Sequence, residues 1–231
     1  MRRILNGMAL AAMAAALLAS CAKGEPWTAD EKALVGTGSG VMRVLTVEDS
    51  LDHAVLRAPS IDLPVKEIGS ETFQTLAARM LATVTCPEQD GVGIAAPQVG
   101  LNRRVVAVQR FDKAGEPFEV YPNIRITAVH GEPELGAEGC LSVPNRRGEV
   151  MRWRNVDIAY VSPRTLKDTV ESIHGFTAVI FQHECDHLDG RLYIDLADTV
   201  YVSTAWEAER RAYDYARPDW WPLLQIGRAH V

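Results

Sequence analysis

The chain has 231 residues, of which 47% are hydrophobic and 23% charged, with a formal net charge of −6. Such a length and apolar content suit one well-filled enzyme-sized core and exclude a disordered or low-complexity chain. The acidic balance gives no reason to expect a nucleic-acid partner, and the pairs Arg103-Arg104, Arg146-Arg147 and Arg210-Arg211 read as ordinary surface charge.

The amino terminus reads as an export signal. Met1-Arg2-Arg3 is positive, Met8 to Leu18 is uncharged and apolar, and Leu18-Ala19-Ser20-Cys21 has the form of a lipoprotein processing site. The apolar run is too short to span a bilayer. This assigns residues 1–21 to a signal peptide with a lipobox and residues 22–41 to a polar, glycine-rich tether, with Cys21 carrying lipid after cleavage. An organellar transit peptide fits less well, because those are Ser- and Arg-rich and amphipathic throughout. Cys86 and Cys185 have no evident disulfide role.

Glu71 to Val84 repeats apolar residues at helical spacing behind Ser70, a good cap. The glycine-rich stretch from Gly91 to Gly100 lacks the Lys and Ser/Thr of a phosphate-binding loop. Its small residues let backbone approach a ligand, and the Gln98 amide can donate to an oxyanion. Arg104 to Gln109, Phe118 to Ile126, Asp157 to Val161 and Thr169 to Ile173 read as strands. Between them lies Glu138-Gly139-Cys140-Leu141-Ser142, where Cys140 is either an inert core thiol or a metal-binding thiolate.

An apolar run after Gly175 leads into Gln182-His183-Glu184-Cys185-Asp186-His187. On a helix the two histidines share one face about 6 Å apart, a spacing that lets both bind one divalent ion with Glu184 beside it; the alternative is a solvated helix end. Phe176 and Val179 fall on the same face with Ile180 beside them, and either line an apolar pocket or pack as core. Val202 to Tyr215 returns to a helical pattern. Short strands and separated helices argue for an α+β fold.

Together, Gly91-Val92-Gly93-Ile94-Ala95-Ala96-Pro97-Gln98, Glu138-Gly139-Cys140-Leu141-Ser142 and the Gln182–His187 segment resemble the peptide deformylase family. The family signatures Gly-x-Gly-x-Ala-Ala-x-Gln, Glu-Gly-Cys-Leu-Ser and Gln-His-Glu-x-Asp-His are matched at every fixed position and in the family's order. The resemblance covers roughly Met42 to Ala197, and its wording is most similar to the subclass that includes organellar deformylases. It implies antiparallel β-sheets packed around a central helix that bears the histidines. The implied activity is metal-dependent hydrolysis of the N-formyl group of N-formylmethionyl peptides or proteins, giving formate and a free amino terminus.

By the same resemblance, Cys140, His183 and His187 hold one divalent metal, iron by family habit, with zinc or nickel as alternatives. Glu184 acts as general base and then general acid, while Gln98 and the N–H of Leu141 stabilise the oxyanion. Backbone of Val92, Gly93 and Gly139 holds an extended formylated peptide. Phe176, Val179 and Ile180, with Val92, line the methionine pocket. Glu138 pairs with Arg152 to hold the cysteine loop, and Gln182 and Asp186 belong to the framework around the ligands. The implied catalytic domain spans 42–225 and acts as a monomer. Ile226 to Val231 matches what a common sequencing adapter encodes and is read as a non-native tail. Bacterial members of the family are cytoplasmic, so the signal sets this chain apart. It predicts a lipid-anchored enzyme of the cell envelope on the periplasmic side, with a cytoplasmic enzyme started at Met42 as the alternative.

Overall fold

The computed structural model describes residues 24–202 apart from Ser39 and Asp90. The expected signal peptide, the helix expected beyond Val202 and the tail at 226–231 lie outside the described residues. In chain order the elements are helices α1 (Ala29–Gly36), α2 (Ser50–Leu56), α3 (Val65–Ile68) and α4 (Glu71–Val84), strand β1 (Gly93–Ala95), a 3-10 turn (Ala96–Val99), and strands β2 (Val105–Gln109) and β3 (Phe118–Pro122). Then come β4 (Arg125–Cys140), β5 (Val143–Val161), β6 (Asp168–His174), helix α5 (Gly175–Leu188), a 3-10 turn (Tyr193–Asp195) and β7 (Thr199–Val202).

Strand β2 shows how the two main cores are divided. Val105 and Ala107 pack with Phe73, Leu76 and Met80 of α4, whereas Val106 and Val108 pack with Ile180 and Phe181 of α5. Successive side chains of a strand point to opposite faces, so a run of four buried residues is what a strand covered on both faces requires. Helix α5 is buried at every position from Thr177 to Leu188, and it therefore carries no amphipathic stripe. The fold is α+β, with antiparallel sheets packed around this central helix.

One sheet has the order β1-β2-β3. In the other, β5 pairs with β4 along one edge, and with β7 (Arg146–Glu149) and β6 (Asn155–Val161) in succession along the other. The expected strand from Phe118 to Ile126 is two strands. Asn123 breaks it with a left-handed φ of 56°, a conformation asparagine tolerates, and its carboxamide accepts from Leu63 N (2.9 Å) and donates to Leu63 O (2.8 Å). The expected strand Asp157–Val161 is only the end of β5, and Val202, read as a helix start, closes β7.

The tether expected over 22–41 is also corrected. Thr28 Oγ1 accepts from Glu31 N (3.2 Å) while Thr28 N donates to Glu31 Oε2 (2.8 Å), a reciprocal cap that starts α1. Trp27 and Val35 are buried in the α4 core. Arg103 is fully buried beneath this segment: Nε and Nη2 donate to the Glu31 carboxylate at 2.6 and 2.7 Å, and Nη1 and Nη2 donate to the carbonyls of Glu25 and Pro26 at 2.7 and 2.8 Å. Its guanidinium also lies 5.4 Å from the Trp27 ring centroid. At the far end of α1, Arg79 donates to the carbonyls of Leu34 and Val35, which would otherwise be unpaired. The segment looks like a tether because its own residues are polar; the groups that bind it belong to α4 and to the start of β2.

Candidate metal centre

The hairpin turn after β4 and the middle of α5 meet in the interior. Cys140 Sγ lies 3.2 Å from His187 Nε2, and one ligand atom from each of Cys140, His183 and His187 falls within 4.8 Å of the others. All three residues are buried. The imidazoles are 5.1 Å apart between centroids, as i and i+4 on one helix face require.

Glu138 sets the orientation of His183. Its Oε2 lies 2.9 Å from His183 Nδ1, and Arg152 donates to the same carboxylate through Nε (2.7 Å) and Nη2 (3.1 Å). Burial alone would raise the Glu138 pKa, but the hydrogen bonds of His183 and Arg152 outweigh it and hold the group at about 2. An ionised carboxylate only accepts, so His183 Nδ1 is the donor and Nε2 is the ring nitrogen turned away from Glu138. That Nε2 is buried with no hydrogen-bond partner. Arg152 Nη1 also donates to Asp186 (2.6 Å), which takes a second ion pair from Arg191 (2.7 Å). The expected Glu138–Arg152 pair is thus part of a longer buried network.

Burial, with smaller contributions from His183 and nearby arginines, pulls the His187 pKa well below its usual range, so the ring is neutral. Burial pushes the Cys140 thiol up, with the charges of Glu184 and Glu138 adding to it. Two buried imidazoles and a thiol whose anion wants a positive neighbour, with their ligand atoms clustered, fit a divalent metal ion.

Glu184 follows His183 on α5 and is fully buried; burial, then the Glu138 charge, raises its pKa well above the usual carboxyl value. Its Oε2 has no partner. The other side of this carboxyl lies against β1, where a Cβ at Gly93 would collide with Glu184 Oε1 and come within 2.8 Å of Ile180 Cγ2. Only a glycine lets strand and carboxylate come this close. In the adjoining turn, Gln98 Oε1 accepts from Ala95 N (2.8 Å). That bond orients the amide so that Nε2 faces Ser142 Oγ (3.2 Å) and Cys140 Sγ (3.6 Å). Leu141 follows Cys140 in the hairpin turn, with its side chain toward Gly91.

The substrate-binding residues expected from the sequence separate into two groups. Phe176 and Val179 line a cavity of about 220 Å³ with Glu138, Val150 and Arg152. Val92 and Ile180 do not; they pack in the α5 core, because the face of α5 beside His183 is roofed by β1. The Val92 carbonyl is taken by Gln109 N (2.8 Å), and backbone alternation turns the groups of Gly93 to the open edge of β1. Gly139 lies on β4, an edge strand of its sheet. Phe111, which the sequence does not single out, completes the cavity with its ring 5.5 Å from that of Phe176. It comes from the end of β2, and no local pattern connects it with α5. A larger recess of about 660 Å³ is lined by Gln182, Cys185, Asp186 and Asp189 on another face of α5, and none of the clustered donors reaches it.

Residues 42–201 match the family profile described as polypeptide deformylase. Peptide deformylase 2 of Pseudomonas syringae pv. tomato is 40% identical over 150 residues, covering 62% of this chain and 80% of that protein. Among solved structures, the class I type b peptide deformylase from Acinetobacter baumannii is 36% identical with a TM-score of 0.61, covering 68% of this chain and 99% of that one. The same enzyme bound to Met-Ala-Ser gives 34% identity, a TM-score of 0.61 and coverage of 69% and 99%.

Proposed function

The chain belongs to the peptide deformylase family, hydrolases that remove the N-formyl group from peptides, and we propose that Cys140, His183 and His187 hold its metal while Glu184 moves the protons. The observation that carries this reading is the Glu138–His183 bond, which leaves Nε2 of His183 unpartnered and buried within reach of the Cys140 sulfur. The donor set accepts Fe2+, Zn2+ or Ni2+, of which Fe2+ is the family's usual metal. Such an ion supplies Lewis acidity at the formyl oxygen and a lowered pKa for the attacking water.

The protein's own groups perform the rest. Glu184 accepts a proton as water adds to the formyl carbon and returns it to the peptide nitrogen as the C–N bond breaks, so that formate and an amine leave. A carboxyl whose neutral form is favoured by burial suits the second half of that cycle. Gln98 Nε2 and the Leu141 N–H donate to the oxygen that gains charge, each worth about 3–4 kcal/mol of barrier. The peptide lies extended against the edges of β1 and β4, using Gly93 and Gly139. Its methionine side chain enters the cavity of Phe111, Phe176 and Val179.

The test is amine release from formyl-Met-Ala-Ser by the full chain, loaded in turn with Fe2+, Ni2+ and Zn2+ and compared with Glu184→Ala. Wild type no faster than the variant under all three loadings overturns the assignment.

For location we propose a lipid anchor on Cys21 at the periplasmic side of the envelope. Support comes from the positive start, the apolar run and the lipobox. Residues 24–37 add to it, because a start at Met42 would strip the partners from buried Arg103. Failure of labelled palmitate to enter the chain through Cys21 would overturn this.

A further inference from the structure

The amino-terminal segment is already docked at Gly24. A Cβ at Gly24 would lie 2.7 Å from Asp62 O, and Glu25 N donates to the same carbonyl at 3.1 Å. From there to Gly36 the chain is held continuously by the buried Trp27 side chain, by the Glu31–Arg103 pair and by Arg79 on the last carbonyls of α1. Only Ala22 and Lys23 separate Gly24 from Cys21.

We propose that in the lipid-anchored chain residues 24–37 are a rigid strap that holds the catalytic domain flush against the bilayer, with the surface around Gly24, Asp62 and Arg125 turned to the lipid. The inference rests on the reading of Cys21 as the anchor. Three Cα steps allow a separation of about 11 Å between Cys21 and Gly24. Twenty free residues would give a root-mean-square span of about 25 Å and a much longer maximum reach. Arg125 and Asp62, which pair at 2.9 Å beside the exit point, lie within that short radius. The consequence is a substrate class: formylated amino termini presented at the membrane surface, in preference to peptides free in the surrounding solution.

The experiment uses the full lipidated chain in vesicles of phosphatidylethanolamine and phosphatidylglycerol. A fluorescent amino acid is placed at exposed Lys66, close in sequence to the docking carbonyl of Asp62, and energy transfer to a headgroup acceptor is measured. Wild type is compared with a chain carrying twenty Gly/Ser residues between Lys23 and Gly24, and with Trp27→Ala/Glu31→Gln. Strong transfer in wild type, falling several-fold in both variants while amine release from soluble formyl-Met-Ala-Ser is retained by the insertion variant, is expected. Equal transfer in wild type and the insertion variant overturns the strap, as does unchanged transfer in Trp27→Ala/Glu31→Gln. Absence of palmitate on Cys21 removes the anchor and this inference with it, whereas failure of the deformylase reading would show only in amine release.

Discussion

Glu138 Oε2 and His183 Nδ1 lie 2.9 Å apart, and both residues are buried. This bond ties the β4 strand to the α5 helix and determines which nitrogen of His183 faces Cys140. Replacing Glu138 with Gln keeps the shape but allows the amide to accept or donate, so the tautomer is no longer imposed. Metal affinity is expected to fall about 10- to 100-fold, read by chelator competition, with far-UV circular dichroism unchanged. An affinity equal to wild type would show that Glu138 serves only the Arg152 network.

Gln98→Ala removes a donor whose direction is set by Ala95 N. Because an oxyanion donor acts mainly in the transition state, kcat is expected to drop by about 100- to 1,000-fold with KM little changed. An equal loss in ground-state binding, seen as a raised KM at constant kcat, would contradict the role.

Gly93→Ala drives a methyl group into Glu184 and Ile180. Over-packing of this kind costs about 1–3 kcal/mol of stability, and displacement of the carboxyl should lower kcat by more than the stability loss explains. A fully active variant with wild-type melting temperature would refute the close approach of β1 to Glu184.

Phe111→Ala opens the small cavity at the side facing Phe176. For a formyl-Met substrate kcat/KM is expected to fall about tenfold or more, within the range that lost apolar pocket contacts give. The loss should be smaller for a formyl peptide with a bulkier first residue. Parallel losses for both substrates would place Phe111 in the core alone.

Acid should loosen the amino-terminal strap. Burial raises the Glu31 pKa, but the hydrogen bonds and charge of Arg103, with the Thr28 bonds, outweigh it and leave the group below its ordinary 4.5. A depressed folded pKa means that the pair contributes fully above about pH 5 and fades as pH falls through 4.5 toward the folded value. The gap in stability between wild type and Glu31→Gln, about 1.5–3 kcal/mol for a hydrogen-bonded charged pair, should close across that window. A gap of constant size down to pH 3 would be incompatible with an ionised Glu31 as the cause.

Local chemistry was the legible part of this fold. Helix α4 keeps the bounds Glu71–Val84 expected for it, because Ser70 caps it and its apolar period is internal to the segment. The break at Asn123 was not legible, since the asparagine bonds Leu63, far away in sequence. Most of β4 is exposed and interrupted by glycines and a proline; its partner strand, not its composition, makes it a strand. Ile180 could not be sorted from Phe176 and Val179 by helical spacing, nor Val92 by its motif, because which of them meets a cavity depends on where β1 crosses α5.

By itself, the sequence determined the family, the α+β class, and the residue types of a metal-dependent hydrolase, because motifs and periodicities are short-range properties. The tertiary structure alone decided that the Glu138 carboxylate orients His183, that Gly93 makes room for Glu184, and that Phe111 walls the small cavity. It also turned an expected tether into a docked strap. The physical reason is common to all four: each depends on a partner supplied by a distant segment, and burial makes that partner's presence or absence matter.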